Sequence, residues 1–120
     1  MKLIKSFSYA FSGIKFCFKS QLNFRIHSGL TIIVLIFSIV FDISAFEWIA
    51  VCFCIAFVIT MEMLNTAIEK LCDVVHIEIH PGIKKVKDIA AGAVLIAAFF
   101  SLITGIVIFL PKIISLIKSI

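Results

Sequence analysis

The stretch that decides the fold is WIAVCFCIAFVITMEMLNTAIEKLCD, Trp48 to Asp73. Its first half is an apolar run, whereas its second half carries Glu62, Asn65, Glu69 and the closing aspartate. Carboxylates are expensive in hydrocarbon and rarely lie there without a function. The segment therefore predicts a helix that crosses a membrane and ends in a polar face with a task.

Composition places the rest of the chain in the same setting. Of the 120 residues, 62% are hydrophobic and only 15% are charged, against about 25% charged in soluble domains. We expect one integral membrane domain over residues 1–120, without a cleavable signal peptide. The four cysteines form no CxxC pair, which favours apolar packing over a disulfide framework or a zinc site.

The first segment has the pattern of an amphipathic helix. Apolar residues recur at three-and-four spacing through residues 3–18, and lysines and serines occupy the opposite stripe. Such a helix lies at a membrane interface with its lysines toward anionic headgroups, and we assign residues 1–27 to this region. An ordinary helix packed on its neighbours is the alternative, and both can hold at once.

Three apolar segments follow, at about 29–46, 47–71 and 89–110. The last has 22 residues without a charge, enough to cross about 30 Å of hydrocarbon. Pro111 and Lys112 are expected to end it. The predicted fold is all-α and integral to the membrane, with one interfacial helix and three transmembrane helices.

Positive charge predicts the orientation. Lys and Arg number five before the first span, none in the turn at 42–47, four between the second and third spans, and two in the tail. Because positive residues favour the cytoplasmic side, the N-terminus and the second loop are predicted inside and the C-terminus outside. The net charge of +4 therefore reflects topology, and no nucleic-acid partner is expected.

Small residues on the third span predict close helix packing. They recur every four positions, at Ala93, Ala97, Ser101 and Gly105. Packing within one chain and packing between chains both fit this stripe. Because three spans enclose little space, we expect an oligomer.

The polar residues of the opening stretch share one helix face. At about 100° per residue, Glu62, Asn65, Glu69 and Asp73 fall within an arc of about 80°. The two glutamates are about 10.5 Å apart along the axis and need separate tasks. A deep Glu62 suits proton abstraction from a hydroxyl, Glu69 suits a hard cation such as Mg²⁺, and Asn65 can orient either partner.

A structural role for this face is the alternative, as a buried network that pairs helices through Arg25 or Lys87. The loop after the face supplies further polar groups up to Lys87 and Asp88, which open the third span. Lys87 suits a phosphate, and Asp88 suits a helix N-terminus. For Lys84 and Lys85 we favour a topology signal. Neither common glycine-rich phosphate loop is present.

Four motifs carry a family resemblance: KSFSYAFSGI (5–14), NFRIH (23–27), EMLNTAIEKLCD (62–73) and HPGIKKVKDIAAGAV (80–94). In this order, over nearly the whole chain, they resemble the small bacterial diacylglycerol kinase and undecaprenol kinase family. The resemblance implies a homotrimer in the bacterial inner membrane. It also implies transfer of the γ-phosphate of ATP to a lipid hydroxyl at the inner leaflet, with Mg²⁺ as cofactor.

The resemblance also implies roles for single residues. Glu62 corresponds to the general base, Asn65 to its neighbour in the active centre, and Glu69 to a Mg²⁺ ligand. The residues that correspond to the nucleotide site are Lys2, Tyr9, Glu78, His80, Lys87 and Asp88. Gln21 departs from the pattern, because it stands where the family has a second metal-binding glutamate, and its amide offers oxygen without charge.

Two rival functions remain open at this point. A small oligomeric cation channel or transporter would explain the acidic face. It would not explain the Lys87–Asp88 pair or the many charged residues of the cytoplasmic loop. A catalytically weakened member of the family is conceivable because of Gln21. Between lipids, NTAIE and KDIAAGAV look slightly more like the undecaprenol-phosphorylating branch than the diacylglycerol branch.

Overall fold

The computed structural model describes residues 1–75 and 80–120, and every regular element in those ranges is an α-helix. The helices are α1 (Lys2–Ser20), α2 (Leu22–Val40), α3 (Ala45–Val75) and α4 (Pro81–Lys118). In the same ranges, α2, α3 and α4 are each long and apolar enough to cross a membrane. The predicted order of one amphipathic helix and three apolar helices is confirmed.

The junction between α1 and α2 is a single extended residue, Gln21, with φ −120° and ψ 111°. The Arg25 guanidinium closes the end of α1, because Nη1 donates to the carbonyls of Phe18 at 3.0 Å and Lys19 at 3.2 Å. These carbonyls have no partner within their own helix. The rings of Phe18 and Phe24 meet edge to face at 4.8 Å. Arg25 therefore stabilises the junction and does not pair with the acidic face.

The first predicted membrane span reached Phe46, but α2 ends at Val40. The turn between α2 and α3 explains this earlier end. Asp42 has φ 48°, a left-handed conformation that aspartate tolerates better than most residues. A capping box then starts α3. The Ser44 N–H donates to Glu47 Oε1 at 3.0 Å, and the Glu47 N–H donates to Ser44 Oγ at 3.2 Å.

The last helix is longer than its predicted span at both ends. It begins at Pro81, which suits a first helical position, and it runs through Pro111 to Lys118. The prediction that Pro111 ends the helix is wrong. Lys112 Nζ lies 2.9 Å from Glu47 Oε2, and this ion pair holds the C-terminal turns against the start of α3. Proline is tolerated in membrane helices where neighbouring helices stabilise the chain.

The other three helices all contact α3, and α4 does so most extensively. A buried cluster near the α2–α3 turn consists of Ile43, Val51, Ile108 and Phe109, and Val34 of α2 packs against it. Farther along α4, the buried face consists of Ala90, Val94 and Ala97. The predicted small-residue stripe is thus used only in part within one chain, because Ala97 is 2% exposed whereas Ala93 is exposed.

Candidate functional site

The acidic face of α3 runs from the interior of the protein to its surface. Glu62 is 4% exposed, Asn65 and Glu69 are half-buried, and Asp73 is exposed. This gradient follows the predicted order, with Glu62 as the deepest acid. A buried carboxylate needs hydrogen-bond or charge partners, because an isolated one is strongly disfavoured away from water.

The partner of Glu62 comes from α2. His27 Nε2 lies 3.3 Å from Glu62 Oε1, with side-chain exposures of 23% and 5% respectively. Neither Arg25 nor Lys87, the partners considered from the sequence, contacts Glu62. Sequence reasoning gave His27 no role, although it closes the NFRIH motif. The available signal was a lone imidazole at the start of an apolar span.

Two further residues pack against this buried acid. Thr66 is 3% exposed, and its Oγ1 donates to the backbone carbonyl of Glu62 at 2.9 Å. The buried Cys17 thiol of α1 lies near Thr66 and near the charge of Glu62. Burial raises the pKa of the Cys17 thiol, so it stays neutral at neutral pH. This agrees with a packing role and seats the end of α1 beside the site.

Asn65 carries an unpaired acceptor. Its Oδ1 is buried and has no hydrogen-bond partner among the described residues. Such an atom costs about 1–3 kcal/mol unless something satisfies it. The Asn65 carbonyl oxygen lies one turn from the buried Glu62. Its lack of a partner indicates that a hydrogen-bond donor or a cation from outside the described chain binds there.

Glu69 is the oxygen ligand best placed for a cation. Its carboxylate makes no hydrogen bond or ion pair with any residue in 1–75 or 80–120. Asn65 and Glu69 are four residues apart, so their side chains are neighbours on the helix. Carboxylate and amide oxygens are donors that Mg²⁺ accepts. The described residues contain no group of three or more His, Cys, Asp or Glu side chains arranged around a metal position.

Gln21, the other predicted metal residue, lies at the α1–α2 junction and is half-buried. Its side chain makes no hydrogen bond to Glu69 or to another described residue. The junction nevertheless lies alongside α3, since Lys70 Nζ sits 5.1 Å from the centre of the Phe16 ring. The structure thus places Gln21 at the same end of α3 as Glu69 and shows no shared metal position for the two residues.

Lys87 and Asp88, predicted for the nucleotide, lie in the second turn of α4. Lys87 Nζ lies 3.0 Å from Asp73 Oδ1, which brings a cation to the solvent-exposed end of the acidic face. Asp88 Oδ2 pairs with Lys84 Nζ at 2.6 Å on the exposed side of the helix. Lys84 therefore has a structural contact beyond the topology signal favoured from sequence.

The remaining predicted nucleotide residues are spread more widely. His80 caps α4, because its Nδ1 accepts from the Gly82 N–H at 3.0 Å. Lys2 and Tyr9 lie on the exposed part of α1, and the described chain shows no hydrogen bond from their side chains to the acidic face. Glu78 lies outside the described residues. A single chain thus brings Lys87 next to the acidic face that begins at Glu62. It does not bring Lys2 or Tyr9 to that face.

An apolar groove leads away from the buried acid. It lies between α2 and α4 over α3, has a volume of about 570 Å³, and reaches His27 at one end. Hydrocarbon side chains make up nearly all of its wall, including Leu30, Val58 and Phe109. The Thr31 and Thr104 hydroxyls also line it, but each donates to a carbonyl of its own helix. The groove thus suits an alkyl or prenyl chain.

Comparisons with known proteins give matches over most of the chain. Residues 8–109 match the family model described as prokaryotic diacylglycerol kinase. An undecaprenol kinase of Bacillus subtilis is 39% identical over 111 residues, which cover 92% of this chain and 90% of that protein.

Two other relatives are named diacylglycerol kinases. The protein of Synechocystis is 36% identical over 95% of this chain and 66% of its own length. The protein of Escherichia coli K12 is 26% identical over 86% of this chain and 84% of its own length. The region matched by the family model includes the whole of α2 and α3, most of α1 and α4, and the acidic face of α3.

Proposed function

This chain belongs to the prokaryotic diacylglycerol kinase family, and we propose that it transfers the γ-phosphate of ATP to the hydroxyl group of a membrane lipid. The protein is a multi-pass membrane enzyme with three apolar helices. The observation that carries the proposal is the place of Glu62. Its buried carboxylate lies beside the end of an apolar groove and on the same helix face as Asp73, the partner of Lys87.

Glu62 acts as the general base. The lipid hydroxyl gives its proton to the Glu62 carboxylate, and its oxygen forms a bond to the γ-phosphorus. The bond from that phosphorus to the β–γ bridging oxygen breaks, and ADP leaves. Asn65, through its unpaired Oδ1, orients the reacting hydroxyl or a hydrated cation. Phosphoryl transfer depends mainly on positioning and charge neutralisation, so no soluble domain is required.

Mg²⁺ is the proposed cofactor, and Glu69 would hold it. The fit rests on a half-buried carboxylate without a cationic partner in the described chain, next to the free Oδ1 of Asn65. When bound, Mg²⁺ supplies charge neutralisation to the phosphates. Gln21 would add a neutral oxygen from the α1–α2 junction, with nucleotide oxygens and waters completing the octahedron.

The nucleotide is proposed to bind at the start of α4. Lys87 neutralises phosphate charge, and Asp88 lies beside it in the same turn. Residues from the loop and from α1 complete the contacts: His80, Glu78, Tyr9 and Lys2. Because Lys2 and Tyr9 do not reach the acidic face within one chain, a homotrimer is proposed in which neighbouring chains complete each site.

The acceptor is proposed to be a polyprenol such as undecaprenol, with diacylglycerol as the second candidate. The groove wall is mostly hydrocarbon, the Thr31 and Thr104 hydroxyls on it are engaged by backbone carbonyls, and Ser101 adds one further hydroxyl. A diacylglycerol presents ester carbonyls next to its hydroxyl and would find few free donors for them there, whereas a prenyl alcohol has no such carbonyls. The 39% identical relative is named an undecaprenol kinase.

The proposed setting is the bacterial inner membrane with the N-terminus and the α3–α4 loop in the cytoplasm. Nine of the eleven Lys and Arg residues flank that side. ATP and the acidic face then meet at the same surface.

The deciding experiment uses purified protein in detergent micelles with γ-labelled ATP. The acceptors are undecaprenol, dioleoylglycerol and a short water-soluble alcohol. Label in undecaprenol phosphate in preference to phosphatidic acid supports the full proposal. Preference for dioleoylglycerol overturns the choice of lipid, and no labelled lipid overturns the kinase. Cation flux in liposomes without any labelled product would support a channel instead.

A further inference from the structure

We infer that His27 is the positioning residue for the Glu62 carboxylate, holding Oε1 so that Oε2 faces the lipid hydroxyl. This inference rests on the proposed function. The contact that carries it joins His27 Nε2 to Glu62 Oε1 at 3.3 Å across the α2–α3 interface. His27 also lines the end of the apolar groove, so one imidazole borders both the acid and the lipid path.

The surroundings of Glu62 leave this task to His27. The Thr66 hydroxyl donates its proton to the Glu62 backbone carbonyl, and the Cys17 thiol of α1 is a weak donor. Glu69, farther along α3, carries the same charge and accepts only. From α4, no described residue forms an ion pair with this acid. His27 is therefore the only basic side chain within 4 Å of the Glu62 carboxylate among the described residues.

A positioned carboxylate matters because the last torsion of a glutamate side chain is broad and roughly two-fold. Without a partner, the carboxyl group rotates and presents either oxygen, or neither, to the groove. His27 itself is held by its helix, where the Thr31 Oγ1 donates to the His27 carbonyl at 2.8 Å. A misplacement of about 1 Å in a reacting group costs about 10²-fold in rate.

The test compares two substitutions at one position. In His27→Gln an amide nitrogen can donate to Oε1, whereas His27→Leu keeps the bulk and removes the polar group. We expect His27→Leu to lower kcat about 10–10²-fold with the KM for ATP unchanged, and His27→Gln to restore most of that loss. Assays use γ-labelled ATP and undecaprenol, or dioleoylglycerol if the unmodified protein prefers it. Should His27→Leu not fold, His27→Asn replaces it, because its amide is too short to reach Oε1.

A second arm separates positioning from general structure. In protein already carrying Glu62→Gln, the added His27→Leu should cause no further loss, since the base it positions is gone. A normal kcat in His27→Leu, equal loss in His27→Gln and His27→Leu, or a further multiplied loss in the Glu62→Gln background would each overturn the inference. An unmodified protein that labels no lipid would overturn the proposed function instead.

Discussion

Lys87 Nζ lies 3.0 Å from Asp73 Oδ1, and this contact ties the second turn of α4 to the last turn of α3. The two side chains are 39% and 60% exposed, so the pair itself contributes little to stability. Its importance is positional. It keeps the Lys87 ammonium at the solvent-exposed end of the acidic face, next to Asp73, and leaves it accessible to a phosphate.

Replacing Lys87 should therefore impair the use of ATP far more than it impairs folding. We expect Lys87→Met to lower kcat/KM for ATP about 10²–10³-fold, because a preorganised donor to the phosphates is lost. Asp73→Asn should change the same constant only slightly. Lys85→Met, an exposed lysine of the same helical turn, is the matched control and should behave as the unmodified protein. Equal losses in Lys87→Met and Asp73→Asn would mean that the ion pair matters rather than a phosphate contact.

Glu62→Gln should remove most phosphoryl transfer and leave the assembly intact. Loss of a general base costs about 10²–10⁴-fold in rate, and the amide preserves the shape of the buried side chain. The measurements are single-turnover rates and the size of the oligomer by light scattering. Glu47→Gln makes the same chemical change at the far end of α3 and should retain turnover. Near-normal turnover in Glu62→Gln would remove this residue from the role of base.

Gln21→Glu should lower the Mg²⁺ concentration that gives half-maximal activity. Mg²⁺ prefers anionic oxygen, and the substitution adds a second carboxylate beside Glu69 in the proposed site. The lipid preference should stay the same. The measurement is a Mg²⁺ titration of both proteins at saturating ATP and lipid. Superimposable curves would show that Gln21 is not at the metal or that its charge is irrelevant there. Activity only in Gln21→Glu would indicate a weakened family member.

The orientation can be read with reporters. A fusion after Ile120 should report the outer side, and an insertion next to Gly82 should report the cytoplasm, because the basic residues cluster at that end. An alkaline phosphatase and green fluorescent protein pair gives complementary signals. The opposite readings would place the acidic face away from ATP and contradict the proposed site.

The ion pair between Glu47 and Lys112 should contribute to stability without affecting catalysis. Glu47→Gln keeps the capping box with Ser44, since glutamine serves the same position, and removes only the charge. We expect Glu47→Gln and Lys112→Gln each to lower the Tm in micelles by about 2–5 °C. The double substitution should lower it by less than the sum, because both remove one interaction. Strictly additive losses would show that the pair is not coupled.

The sequence predicted the helices well because their signal is long and local. Three apolar runs and one three-and-four pattern need no knowledge of tertiary contacts. The helix ends depended on contacts that the pattern does not contain. Pro111 looked like a stop, yet the ion pair of Lys112 with a residue 65 positions earlier keeps the chain helical beyond it. Ser44 and Glu47 form the S-x-x-E signature of a capping box in the sequence, which the predicted spans did not use.

In the candidate site, too, the features set by one helix could be predicted from the sequence, whereas those set by packing between helices could not. The 100° step of one helix puts Glu62 and Asp73 on the same face of α3, and their burial order follows from their distance along the axis from the apolar half of the helix. The identity of the partner of Glu62 does not follow from one helix, because it depends on how α2 is rotated about its axis when it packs on α3. Arg25 was the stronger candidate by charge, but it is engaged by the carbonyls at the end of α1. His27, two residues later, takes the place beside the acid.

The continuity of α4 limits how this protein can change over generations. One rigid helix carries Lys87 at its start, the buried residues Ala90 and Ala97 in its middle and Lys112 near its end. Inserting a single residue between Lys87 and Ala90 would turn the lysine by about 100° and move it about 1.5 Å relative to the packed face. Substitutions can accumulate along the lipid-facing side, whereas the spacing is fixed. We therefore expect related chains to differ in the residue types along α4 but to lack insertions and deletions within it.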